Sequence, residues 1–200
     1  MHNRLQRLSI GALLLLPVAF GENAAAPVFG PQFTAAGELR PPQRYREWVY
    51  LSTGFDMSYR PTQATAHHMF DNVFVAPEAY QSFVQTGTWP DKTMMVLETR
   101  GAEERGSPNR SGSYQSTQLM GLEVHVKDEA RFAGGWGFFG FDGLQPAKVI
   151  PHSATCYTCH AAHAAVDTTF VQFYPTLLPI ARMKGTLSTS YQKDVAAEAH

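Results

Sequence analysis

The sequence predicts an α+β fold: an antiparallel β-sheet with flanking helices, completed by a helix near the C-terminus. Three observations predict it. Short runs of branched and aromatic residues recur between Trp48 and Phe141 with the spacing of hairpin-connected strands. A stretch from Pro77 to Gly87 carries helix start and stop signals among them. From Ser153 onward the pattern turns helical, and this region holds the only 2 cysteines of the 200-residue chain, in Cys156-Tyr157-Thr158-Cys159-His160.

In chain order, residues 1–21 read as an export signal. Arg4 and Arg7 form its positive start, Leu8 to Phe20 an apolar stretch broken at Ser9, Gly11 and Pro17, and Ala19-Phe20-Gly21 a small-x-small cleavage site. The stretch is shorter than the ~20 apolar residues of a spanning helix, so a cleaved leader is expected. The mature protein is then periplasmic, with no membrane segment. Residues 22–40, rich in Ala, Pro and Gly, read as a flexible entry segment, residues 41–184 as one domain, and residues 185–200 as a disordered tail.

Within the domain, Pro41 and Pro42 open a short helix to Arg46, and Trp48 to Leu51 has strand composition. A polar loop follows over residues 52–66. Asn72 to Val75 reads as strand, and Pro77 starts a helix of about ten residues ending at Gly87. Thr93 to Thr99 is a further apolar, branched run, followed by a Gly/Ser/Asn loop from Gly101 to Ser113. The most legible strand is Leu122 to Lys127, where Leu122, Val124 and Val126 alternate with Glu123, His125 and Lys127. Trp136 to Phe141 completes the strands. A helix is expected over Cys156 to Ala165, and Asp167 is expected to cap a segment from Thr168 to Met183, divided at Pro175 and Pro179.

Composition narrows the partners. The formal net charge is −1 and no Lys/Arg cluster occurs, which argues against nucleic acid and anionic membranes. Aromatic residues make up 12% of the chain, enough to wrap a large flat apolar cofactor.

C-x-x-C-H is the attachment signature of a c-type haem: one helical turn presents both thiols to the haem vinyl groups, and the adjacent imidazole ligates the iron. The competing readings are weaker. Four-thiolate zinc needs a second cysteine pair, and a Cys₂His₂ set drawn from His152, His160 and His163 lacks finger spacing. A thioredoxin-like dithiol belongs at a strand-to-helix turn of a βαβ unit, whereas a Pro/His/Ser loop precedes Cys156. One covalent haem c is therefore expected, with Cys156 and Cys159 as attachment points and His160 as the proximal iron ligand.

The chain resembles the cytochrome P-460 and cytochrome c′-beta family. The likeness runs from about Arg44 to Tyr174. It is carried by Tyr45-Arg46-Glu47-Trp48-Val49, Val73-Phe74-Val75 with Pro77-Glu78-Ala79-Tyr80, Gly121-Leu122-Glu123, and Val126-Lys127-Asp128. Arg131-Phe132, Gly135-Trp136-Gly137-Phe138, the cysteine motif with Ala161 and Asp167, and Phe170 to Pro175 continue it. The resemblance implies a homodimer and a five-coordinate haem with one open face.

It also implies where function divides. P-460-like members carry a lysine that cross-links to the haem, and they oxidise hydroxylamine. Leu97 stands at that position here, and Lys92, five residues earlier, falls on the opposite strand face. The apolar cap resembles the c′-beta branch, associated with nitric oxide and similar gases, and a redox partner protein is expected. Glu123 matches an acid that assists proton removal from the nitrogenous substrate; alternation alone equally allows a solvated strand face. Asp71, or Phe70 with the match slipped by one, stands where P-460-like members place an arginine. His125 shares the face of Glu123, as a sixth ligand or proton relay or as an exposed strand histidine. Phe70, Asp71, Leu97, Glu123 and His125 are thus the candidates for the distal pocket. His67, His68, Met94, Met95 and Met120 are weaker axial candidates, and His163 reads as solvated.

Overall fold

The computed structural model describes residues 29–57 and 67–198. The expected leader and most of the expected loop before the second strand lie outside these residues. Five strands form one antiparallel sheet in the order β1-β2-β3-β4-β5: β1 (Val49–Phe55), β2 (Met69–Val75), β3 (Met94–Glu103), β4 (Tyr114–Lys127) and β5 (Trp136–Gly140). Each strand pairs with its sequence neighbour, as hairpin connections allow and parallel pairing would not. The sequence places these strands correctly, the first four of them too short. β3 extends to Glu103 and β4 begins at Tyr114, because backbone pairing between Glu103 and Tyr114 carries the ladder through residues read as loop.

Helix α1 (Pro77–Thr86) has proline in its first turn and stops at Gly87, whose φ of 78° is left-handed. A residue with a Cβ resists that conformation, and a Cβ here would stand 2.7 Å from Lys184 Cβ. The helix buries Ala79 and Phe83, and the Phe83 ring packs on Trp89 with centroids 4.3 Å apart. Full burial of such a side chain contributes about 2–3 kcal/mol. Where Pro41 to Arg46 suggested a helix there is only a 3₁₀ turn, Tyr45–Glu47. Pro41 and Pro42 each lack an N–H, and Arg44 sits at φ 55°, outside right-handed helix.

After β5, α2 (Thr155–His163) carries the cysteine motif, followed by α3 (Leu178–Lys184) and α4 (Thr189–Glu198). Asp167 does not cap a helix. It lies at φ 53° and its carboxylate meets Lys127 Nζ at 3.3 Å, while α3 starts later, with proline in its first turn. The tail expected to be disordered instead forms α4. The Ser188 hydroxyl accepts the Tyr191 N–H at 3.1 Å and donates to Ala164 O at 2.6 Å, and Asp194 meets His163 Nδ1 at 2.6 Å. An N-cap and these ties to α2 hold a segment whose own apolar pattern is weak. Among the described residues no helix is long and apolar enough to cross a membrane.

Sheet register separates two faces, because residues opposite one another in antiparallel strands share a face. One face carries Phe74, Val96, Val124 and Phe139 in a row, with Asn72, Glu98 and Leu122 in the next. It packs under the segment before β1: Tyr45 meets Phe74 at 5.9 Å and Phe33 meets Phe139 at 6.2 Å between centroids. Here Glu98, 2% exposed, accepts from Tyr45 Oη, from Arg46 Nε at 2.8 Å and from Arg100 Nε at 2.5 Å. A buried carboxylate persists only with such partners. The opposite face carries Met95, His125 and Phe138 in one row, Val73, Leu97 and Glu123 in the next, and Asp71, Thr99 and Gly121 in a third.

Candidate haem site

That second face and the C-terminal helical region enclose a cavity of about 430 Å³. The size falls in the usual range of sites for small molecules and cofactors, about 300–1,000 Å³. Val73, Leu97 and Glu123 line its sheet wall, Cys156, Cys159 and His160 its helix wall, and Phe170 and Phe173 close it from the following segment. Both cysteines are free thiols and half-buried. Spaced three apart on α2, they share one helix face with the imidazole beside them.

The His160 ring is held on several sides. Its Nδ1 donates to the Thr168 carbonyl at 2.7 Å, which leaves Nε2 as the nitrogen able to ligate. Phe170 lies 4.3 Å away, Phe138 4.8 Å and His125 4.9 Å, centroid to centroid. Burial pushes the imidazole below its ordinary value, with the Thr168 hydrogen bond opposing, so at neutral pH the ring is uncharged, as a metal ligand must be. The Thr168 carbonyl is itself fixed by its neighbour. Thr169 Oγ1 accepts from Trp89 Nε1 and donates to Val166 O, both at 2.8 Å.

The helix is docked on the sheet by the first residue between the cysteines. Tyr157 stacks on Phe138 with centroids 4.2 Å apart and planes 7° apart. Its hydroxyl accepts the Phe138 N–H at 3.0 Å and donates to Ile150 O at 3.2 Å.

The structure divides the candidate distal residues. Asp71, Leu97 and Glu123 all line the cavity. Phe70 does not: it pairs with Arg100 on the other sheet face and packs on Phe55 at 4.8 Å, because a shift of one residue along a strand reverses the side chain. The expectation for Phe70 is therefore corrected in favour of Asp71. His125 lines the cavity beside His160 rather than across it, since two rings 4.9 Å apart leave no place for an iron between them. Burial, then the neighbouring His160, pushes its pKa down to about 3.

Glu123 faces the cavity, and its side chain is exposed there. Desolvation, and then the charge of Asp71, raises its pKa above the ordinary carboxylate value. Asp71 Oδ1 accepts from Thr99 Oγ1 at 2.7 Å. Lys92 sits at a turn with φ 65° and pairs with Asp128 at 2.5 Å, away from this wall. Met94 is buried, Met120 is exposed, and Met95 is a buried member of the row beside α2. His68 pairs with Asp56, and His163 with Asp194.

Sequence reading missed Ser52, Gly54 and Met57 at the far end of the cavity, because they fell in a presumed loop. Gly54 carries a clear reason: a Cβ there would stand 2.4 Å from Met57 Sδ, so the bare backbone leaves room for that side chain in the cavity lining. It also missed the Thr168 carbonyl, which no side-chain signal marks.

Among the described residues no three His, Cys, Asp or Glu side chains come together to hold a metal ion. An apolar cavity, two thiols and an uncharged imidazole on one helix face fit a haem. The class so defined is a haem-binding cytochrome built on an antiparallel sheet. Comparison with known families agrees, since the Cytochrome P460 model matches residues 42–171, and the chain belongs to that family. No curated protein matches it.

Proposed function

We propose that the protein is a single-haem c-type cytochrome that binds nitric oxide or a related small ligand at a five-coordinate iron. Cys156 and Cys159 hold the haem through thioethers, and His160 is the proximal ligand. The observation that carries this reading is the engaged Nδ1 of His160, which turns Nε2 to a cavity edged by both thiols. The haem supplies an iron that takes a small ligand and changes oxidation state by one electron.

The protein's own groups do the rest. The Thr168 carbonyl fixes the His160 tautomer, and Tyr157 keeps α2 seated on the sheet. Val73 and Leu97 form an apolar wall that disfavours water and charged ligands. Leu97 in place of a cross-linking lysine supports the c′-beta branch. The pattern of residues 1–21 supports export to the periplasm, where one-electron exchange with a redox protein becomes possible. Tyr50 and Phe55 on edge strand β1 are exposed, which suits the homodimer implied by the family resemblance.

A second reading, oxidation of hydroxylamine, is favoured by one observation: the Glu123 carboxyl faces the cavity with a raised pKa, as a proton acceptor tuned toward neutral pH requires.

Intact mass and reduced spectra test the first reading. The mature protein is expected to exceed its chain mass by one haem, and a Cys156→Ala/Cys159→Ala variant to lose the covalent adduct. The ferrous protein is expected to show an ordinary high-spin c-type spectrum that changes on adding nitric oxide. Covalent haem in the double variant would overturn the attachment. A Soret band displaced far to the red would overturn the argument from Leu97.

A further inference from the structure

We propose that His125 is a positioning residue for the iron ligand: stacked with Phe138, its ring forms part of the sheet-side wall that sets the orientation of the His160 imidazole. The proposal rests on the reading of His160 as the ligand and adds a role for a residue across the sheet from it. Three rings stack on this wall. Tyr157 stacks on Phe138 at 4.2 Å, and Phe138 stacks on His125 at 3.9 Å with planes 18° apart. His160 lies alongside this stack, 4.9 Å from His125 with planes 72° apart and 4.8 Å from Phe138.

The column is stiff from its far end. The doubly hydrogen-bonded Tyr157 hydroxyl ties that ring to the β5 backbone and to Ile150. Phe138 is 2% exposed, and strand pairing places it directly opposite His125. His125 and Phe138 therefore hold each other in place where the imidazole meets them. His160 also meets Phe170 at 4.3 Å, so the imidazole packs against rings of the sheet and of the segment after α2 while the Thr168 carbonyl holds its edge. One hydrogen bond at Nδ1 still permits the ring to swing about that bond; contacts with the rings of His125, Phe138 and Phe170 restrict the swing. Preorganising a ligand in this way preserves a single iron–imidazole geometry.

The test compares His125→Ala with His125→Phe in the haem-loaded protein, reading the iron–imidazole stretching band of the ferrous form by resonance Raman. Loss of the wall in His125→Ala is expected to broaden the band and shift it to lower frequency. The Phe ring is expected to restore the native band. A native band in His125→Ala would overturn the proposal, and so would a His125→Phe band matching that of Ala, because packing would then not be the cause. Circular dichroism and intact mass on each variant confirm folding and haem content. Wild-type protein without covalent haem would instead overturn the reading of His160 on which the proposal rests.

Discussion

Glu123 shows how strongly one carboxylate's role depends on its surroundings. On a solvated strand it would be an ordinary anion; facing an apolar cavity beside Asp71, it holds its proton more tightly. If hydroxylamine is oxidised here, Glu123→Gln is expected to cut turnover by about 10²-fold or more, the usual contribution of a positioned proton acceptor. Nitric oxide, which has no proton to give, is expected to bind the variant with nearly native affinity. Steady-state turnover and equilibrium titration of the two ligands separate these outcomes. Parallel loss of both would assign Glu123 to the architecture of the cavity. Its partner Asp71 illustrates the same dependence, since the choice between Asp71 and Phe70 turns on a single step of strand register.

At the scale of elements, helix ends decide how the helices are held to one another. The α1 terminus at Gly87 packs directly on the α3 end, and Thr186 Oγ1 donates to Gly87 O at 2.7 Å. Gly87→Ala places a Cβ in a left-handed conformation and against Lys184, so a loss of about 1–2 kcal/mol or more is expected in denaturant unfolding. A stability equal to wild type would show that this junction relaxes freely. Helix α4 depends on its cap: Ser188→Ala is expected to cost about 1 kcal/mol, read as faster hydrogen exchange across Thr189–Glu198 than across the sheet. Uniform acceleration throughout the molecule would contradict a local cap. These two helix ends also mark the reach of sequence signals. Pro77 and Gly87 bracket α1 in the sequence as in the structure. α4 could not be read that way, because its stability comes from Ser188 and from the Asp194–His163 contact with a helix many residues earlier.

For the molecule as a whole, the polar cluster on the far sheet face sets a pH window. Burial alone would raise the Glu98 pKa, but hydrogen bonds from Arg100, Tyr45 and Arg46 outweigh it and hold the carboxyl below its ordinary 4.5. An acid with a depressed folded pKa lends stability that is present above the unfolded value and lost as pH falls through the folded one. Desolvation, with the hydrogen bond to Glu98 next, raises Tyr45 from 10.0 to about 12. The sign reverses there: its contribution is full below 10.0 and fades as pH rises towards about 12. Thermal unfolding followed across pH is expected to show both flanks. Glu98→Ala is expected to flatten the acid flank and to cost about 1–3 kcal/mol at neutral pH, since the buried Tyr45 hydroxyl and the half-buried Arg100 lose their acceptor. An unchanged acid flank would remove Glu98 as its cause.

The sequence by itself determined the kind of fold, the helix bearing the thiols and the identity of the thiols and imidazole. Those features are local: strand alternation, proline and glycine at helix ends, and a five-residue motif whose chemistry depends on spacing along one turn. Only the tertiary structure decided which groups surround the imidazole. The Thr168 carbonyl is a backbone atom with no residue signature, Phe170 arrives from the turn after α2, and His125 and Phe138 come from paired strands. The placement of His125 beside His160, and of Asp71 rather than Phe70 in the cavity, followed from register and helix docking, which fix a side chain's direction only once the strands are paired.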